Sequence, residues 1–266
     1  MADTQSDKHL IAGLTTVAER LSRADRVLFI TGAGLSADSG LPTYRGVGGI
    51  YDDGVTEDGI PFEVALSGDM FRRRPELTWK HIARVEQATR GADYNQGHAV
   101  LARFEEALPH VCVLTQNVDG FHSRAGSTNV IEMHGNVHRL RCTECDATEE
   151  VENFGGLEIP PACRRCSAMI RPDVVLFGEM LPFHALDHLT EETGKGFDVV
   201  MSIGTTSVFP YITEPVLTAH RDGATTVEIN PAETEISHLV DYRFPDRAAV
   251  VLDAIWQEFQ NAHGHG

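Results

Sequence analysis

Four cysteines fall in two close pairs, Cys142-x2-Cys145 and Cys163-x2-Cys166, with 17 residues between them. That spacing lets two knuckles converge on one tetrahedral metal ion. Thiolates suit zinc. Four protein ligands fill its coordination sphere and leave no position for water or substrate, so the ion is expected to be structural. The competing reading is two redox-active dithiols, but a redox C-x-x-C ordinarily opens a helix in a thioredoxin-like unit. The fifth cysteine, Cys112, lies inside an apolar run and reads as a core residue.

Three further motifs carry polar groups. Gly32-Ala33-Gly34-Leu35-Ser36-Ala37 follows an apolar run and fits the G-x-G-x-x-G/A pattern, in which glycines let main-chain N–H groups approach a pyrophosphate. A plain tight turn fits it too. Gly40 and Pro42 follow closely, so no long helix runs on; Tyr44-Arg45-Gly46 then supplies an aromatic ring and a fixed positive charge. Thr115-Gln116-Asn117-Val118-Asp119 offers side chains that either hold ribose hydroxyls and an amide or make an Asx turn. In Glu132-Met133-His134-Gly135, His134 is either a general base or a structural histidine; with 13 histidines in the chain the residue type alone selects nothing. There is no G-x-S-x-G elbow and no H-E-x-x-H, so serine-hydrolase and zinc-hydrolase chemistry have no visible machinery.

The elements that must position these groups are legible as short apolar runs at 26–31, 111–115, 199–203 and 226–229, each ending in polar or glycine residues. Helical spacing covers 10–23, 75–88, 98–107 and 247–260. Buried strands alternating with helices make an α/β fold: a Rossmann-like parallel sheet with helices on both faces. Ligands in such sheets bind beyond the carboxyl ends of the strands, where the motifs cluster. The expected division is a nucleotide-binding domain at 10–45, 98–137 and 173–260, a cofactor loop with a helical insertion at 46–97, and a small zinc-ribbon module at 138–172. The terminal His263-Gly-His-Gly reads as a frayed tail.

The chain has 266 residues, 42% of them apolar, and a formal net charge of −17. That charge disfavours a nucleic-acid surface, which needs a basic patch. No apolar run reaches the ~20 residues of a membrane helix, and Met1–Lys8 lacks the order of a signal peptide, so a soluble cytoplasmic protein is expected.

Taken in order, the motifs resemble the sirtuin family. The matching stretches are Gly32 to Gly46, Thr115 to Asp119, His122 to Gly126, His134-Gly135, the four cysteines, Val174 to Glu179, Gly204 to Thr206 and Ile229 to Pro231, spread over about 200 residues. The resemblance implies an NAD-dependent protein-lysine deacylase with one structural zinc, releasing nicotinamide and O-acyl-ADP-ribose. Alternatives on the same site are an NADase, an ADP-ribosyltransferase or a deacylase for acidic acyl groups; a non-enzymatic zinc-ribbon binding module is a further one. The implied partners are acyl-lysine proteins or peptides.

The resemblance also implies roles. Gly32, Ala33, Gly34 and Ala37 line the cofactor turn; Arg45 binds phosphate; Tyr44 stands where the family usually has Phe, beside nicotinamide. Gln116, Asn117 and Asp119 hold the nicotinamide ribose and carboxamide, and His134 is the base, with Asn117 orienting the ribose. Gly204, Thr205, Thr206 and Asn230 meet the adenosine, and Ala248 contacts adenine. Val175, Phe177, Gly178 and Glu179 hold the substrate backbone as an added strand. Family members that remove acidic acyl groups resemble one another in a Tyr and an Arg three residues apart. Aligned from Pro75 or Trp79, those positions fall here on Ile82 and Val85, which suits a neutral acyl chain; His81 and Arg84 form the same spacing one residue out of register.

Overall fold

The computed structural model describes residues 3–42 and 54–263; Tyr44 and Arg45 lie outside the described residues. The strands are β1 (Arg26–Thr31), β2 (His110–Thr115), β3 (Val130–Glu132), β4 (Gly135–Cys142), β5 (Thr148–Glu150), β6 (Ile170–Val174), β7 (Val199–Ile203), β8 (Thr225–Ile229) and β9 (Tyr242–Phe244). The helices are α1 (Asp3–Leu21), α2 (Ala33–Ala37), α3 (Phe62–Ala65), α4 (Gly68–Arg73), α5 (Pro75–Thr89), α6 (Gln96–Ala107), α7 (Phe121–Ala125), α8 (Phe183–Gly194), α9 (Pro210–Arg221) and α10 (Ala248–His263).

The main sheet has the order β3-β2-β1-β7-β8-β9 and is parallel throughout. The chain order reverses between β1 and β7, which makes their carboxyl ends a topological switch point. Strand β1 shows why its sequence is continuously apolar. Val27 and Phe29 face a core with Leu101 and Leu252, whereas Leu28 and Ile30 face the opposite core with Cys112 and Ile212. A strand buried on both faces has no polar side to alternate with. Cys112 is fully buried, and burial pushes its thiol up to about 12, so it stays an inert core group.

The second sheet is antiparallel, with order β5-β4-β6. It shares a third core with the helical insertion: Trp79, Ile82 and Val85 of α5 pack with Leu140, Phe154 and Ile170. The Trp79 indole N–H donates to the Ile170 carbonyl at 3.0 Å, so the largest buried side chain of this core has its polar atom satisfied. The motif after β1 forms only the five-residue α2, as Gly40 and Pro42 require. Two edge strands, β3 and β9, lie beyond the four the apolar runs foretell. No helix among the described residues is long and apolar enough to cross a membrane.

Candidate active site

The turns after β1 and β7 meet backbone to backbone. Gly32 N–H donates to Ile203 O at 3.1 Å and Gly34 N–H to Gly204 O at 2.8 Å. Gly204 sits at φ +60, and a Cβ there would lie 2.5 Å from Leu35 N. Glycine at 34 and 204 is therefore needed for close approach of two loops as well as for any phosphate. Asn95 adds a second brace. It caps α6 by accepting from Gly97 N at 2.8 Å, and its Nδ2 donates to Leu35 O at 2.8 Å and Ser39 Oγ at 2.9 Å. Such a cap is worth roughly 0.5–2 kcal/mol, and here it also fixes α2 against α6.

The segment after β2 folds onto this turn. Asn117 Nδ2 donates to Gly32 O and to Ser36 Oγ, each at 3.0 Å, and Ser36 Oγ donates to Asp119 Oδ2 at 2.7 Å. Asp119 Oδ1 accepts from Phe121 N at 3.0 Å. Burial raises the Asp119 pKa, against the pull of these two bonds. Gln116 Nε2 donates to Thr205 Oγ1 at 2.7 Å, which ties the β2 loop to the β7 loop. Thr205 O in turn accepts from Asn230 Nδ2 at 2.9 Å. Thr205 is buried and Thr206 exposed. A pocket lined by Ala33, Ser36, Pro42, Val85, Asn117 and Asp119 opens here. Apolar walls with one amide, one carboxyl and the two hydroxyls of Ser36 and Thr89 suit a flat, amide-bearing ring.

His134 joins β3 to β4. Gly135, at φ +79, lies so close to Asp173 that a Cβ would stand 1.9 Å from its carbonyl oxygen, and the His134 carbonyl accepts from Val175 N at 2.9 Å. The imidazole is held from both ends. Nδ1 is 3.0 Å from Gln116 O and Nε2 is 2.6 Å from the Tyr211 hydroxyl. A carbonyl only accepts, so Nδ1 carries the proton and, in the neutral ring, Nε2 is the acceptor. Burial lowers the His134 pKa, and the Gln116 carbonyl opposes that. The ring is therefore neutral near pH 7, with its basic nitrogen defined. Tyr211 is a site residue that the sequence motifs do not disclose.

The expected substrate segment is partly committed within the chain. Phe177 N–H donates to Leu66 O and Phe177 O accepts from Gly68 N, both at 3.0 Å, while Glu179 N–H donates to Leu176 O at 3.0 Å. An added strand cannot use these bonds; what Phe177 presents outward is its ring, 42% exposed. Glu179 anchors the turn through a bidentate pair with Arg171 at 2.7 and 2.9 Å. Burial raises the Glu179 pKa and Arg171 lowers it, with a net fall. Ala248 is packed into the core at 2% exposure, with little surface for a ligand. Beside it Asp38 accepts from Ala249 N at 2.7 Å and Arg247 Nε at 2.8 Å, fixing the start of α10 to α2.

Arg84 points outward to Glu57, 2.6 Å away, and His81 is fully buried with Nε2 3.0 Å from Asp58 Oδ2. Ile82 and Val85 are buried, and Val85 lines the pocket beside Asn117. A larger cavity of about 690 Å³ opens on the far side of Asp119 and Thr89, walled by the ion pairs Arg90–Glu86, Arg124–Asp93 and Arg139–Glu132. Among the described residues expected to bind cofactor or substrate, only Asp119 lines it.

The four cysteines of the small module converge. Their Sγ atoms lie within 4.8 Å of one another, with separations of 3.5, 3.6 and 3.8 Å among three of the pairs. A tetrahedral ion with Zn–S near 2.3 Å places its sulfurs ~3.8 Å apart. Main-chain N–H groups of Glu144 and Cys145 point at Cys142 Sγ, each at 3.4 Å, and pull that thiol down to about 6. The donor set therefore fits a zinc ion.

Residues 32–210 match the model of the Sir2 family. The chain is 48% identical over 250 residues to the NAD-dependent protein deacylase 2 of Pseudomonas aeruginosa, covering 91% of this chain and 95% of that protein. It is similar to a Sir2 homologue variant solved as an ADP-ribose complex, with a TM-score of 0.85, 32% identity and coverage of 94% and 98%. It is also similar to a Sir2 variant solved with a deacetylated p53 peptide and 3'-O-acetyl ADP-ribose, with a TM-score of 0.80, 28% identity and coverage of 91% and 97%. The chain belongs to the Sir2 family, the sirtuins.

Proposed function

We propose that this chain is an NAD-dependent protein-lysine deacylase acting on acyl-lysine proteins or peptides. The observation that carries the reading is the fixed tautomer of His134, whose unprotonated Nε2 faces Tyr211 while Nδ1 is held by Gln116. NAD, when bound, supplies nicotinamide as leaving group and ADP-ribose as acyl acceptor. The chain's own residues then have defined tasks. Asn117, braced by Ser36 and Gly32, orients the ribose. Asp119 and the pocket walls hold the carboxamide and exclude water. His134 takes a proton from a ribose hydroxyl at Nε2, so no protein nucleophile is required. Zinc is confined to the small module, where Cys142, Cys145, Cys163 and Cys166 hold it away from this chemistry.

The division into a sheet domain (10–45, 98–137, 173–260), a helical insertion (46–97) and a zinc module (138–172) belongs to this reading and is supported by the two separate sheets. A cytoplasmic location is also part of it, supported by paired thiols that a reducing compartment keeps free for metal. The acyl preference is for neutral chains, supported by buried Ile82 and Val85 and by the outward Arg84–Glu57 pair.

The test is one reaction with NAD and matched acetyl and succinyl peptides, with all products measured. Nicotinamide and O-acetyl-ADP-ribose in equal amounts, slow succinyl turnover and an acyl ratio unchanged by Arg84→Ala are expected. Free ADP-ribose without deacylated peptide identifies an NADase, and labelled protein identifies an ADP-ribosyltransferase.

A further inference from the structure

Tyr211 stands on the first turn of α9, immediately after Pro210, and its ring stacks on Phe209 with centroids 5.5 Å apart and planes at 11°. Both rings lie edge-on to His134, at 6.0 Å for Tyr211 and 6.5 Å for Phe209. The phenol is part-buried, and burial pushes its pKa up to about 12, so it remains a proton donor at every working pH. At 2.6 Å from Nε2 it occupies the single lone pair that the neutral imidazole offers. A ribose hydroxyl that gives its proton to Nε2 must take the same place.

We propose that Tyr211 is a positioning residue for His134: its hydroxyl holds the imidazole and its tautomer while the site is empty, and yields Nε2 to a ribose hydroxyl when the cofactor binds. This inference rests on His134 being the base. The connection along the chain is short. Residues 204–206, expected at the adenosine, are five to seven positions from Tyr211, and Thr205 is bonded to Gln116, whose carbonyl holds the other end of the imidazole. Ligand contact with the β7 loop and release of Tyr211 thus act on one segment. Among the described residues no carboxylate bonds the ring: Glu132, two residues away, is turned to Asn136 and Arg139, and Asp119 to Ser36 and Phe121 N.

Tyr211→Phe keeps the ring and its stacking and removes the hydroxyl. Breaking one intramolecular hydrogen bond is then no longer a cost of binding, so kcat/KM for NAD should rise roughly 2- to 10-fold, carried by KM. A second readout needs no turnover. In ¹⁵N spectra of the free wild-type protein His134 should be the Nδ1–H tautomer, with an Nε2 shift that Tyr211→Phe changes. With ADP-ribose bound, the two proteins should give the same Nε2 shift. The proposal is overturned if the free wild type and Tyr211→Phe share one Nε2 shift, or if the variant loses kcat 10-fold or more at constant KM. Undiminished turnover of His134→Asn would instead refute the base assignment, while the tautomer spectra still report the Tyr211 contact.

Discussion

Gly34 and Gly204 touch backbone to backbone, with a 2.8 Å hydrogen bond between them and only 2.7 Å between Gly204 Cα and the place where a Cβ on Gly34 would stand. This contact closes the switch point between β1 and β7. It makes the glycine motif a packing device before it is a phosphate cradle, because two of its amides are spent on β7 and its loop.

Gly34→Ala should therefore destabilise the protein by about 1–3 kcal/mol, the usual cost of overpacking. Gly204→Ala should cost more, because a left-handed φ of +60 is added to the clash. Urea unfolding gives the stability, and calorimetry with ADP-ribose should show affinity falling in both. A Gly34→Ala protein with wild-type stability would mean that the two loops are not in contact.

The cysteine cluster ties metal to stability. Cys163 is 3% exposed and sits in the same core as Trp79, Ile82 and Val85. Cys163→Ser should lose bound zinc, lower Tm and lose activity through α5, since Val85 lines the pocket beside Asn117 and Asp119. Zinc content by emission spectroscopy and a thermal scan check this. A metal-free protein with unchanged Tm and turnover would contradict it.

Two histidines behind the site should make stability depend on pH. His98 and His122 are buried with ring centroids 4.9 Å apart, and His98 Nε2 and His122 Nδ1 have no hydrogen-bond partner among the described residues. Burial takes His98 to about 3 and His122 well below its ordinary value. With folded pKa values depressed, their contribution is complete above the unfolded value of ~6.5 and is lost as pH falls toward the folded values. Each should add about 1.4 kcal/mol per pH unit to the slope of unfolding free energy below that point. Urea midpoints from pH 8 to 5 should show a slope that His98→Gln reduces; an unchanged slope would place the titration elsewhere.

The central strands were legible because double burial makes an apolar run, as in Val27 to Ile30. The edges were not: Val130–Glu132 and Tyr242–Phe244 are three residues each, too short for any period to register. The cysteine spacing was sufficient because ligation demands proximity that C-x2-C guarantees for each pair. His134 could be picked out only by its place in an ordered set of motifs, since 13 histidines share its type. Tyr211 and Asp38 act through the fold alone. A tyrosine after Phe-Pro and an aspartate in a glycine-rich turn carry no spacing signal that would link them to His134 or to the start of α10. The Phe177 main-chain bonds were likewise invisible, because the partner segment at Leu66–Gly68 lies more than 100 residues earlier in the chain.

The central claim is that His134 Nε2 is the base and that the rest of the site binds without it. The measurement is nicotinamide exchange and O-acetyl-ADP-ribose formation by wild type and His134→Ala, with ADP-ribose affinity recorded for both. Retained affinity and exchange are expected, with product formation down ~10²–10⁴-fold, the usual range for general acid–base catalysis. Product formation by His134→Ala within a few fold of wild type would contradict it.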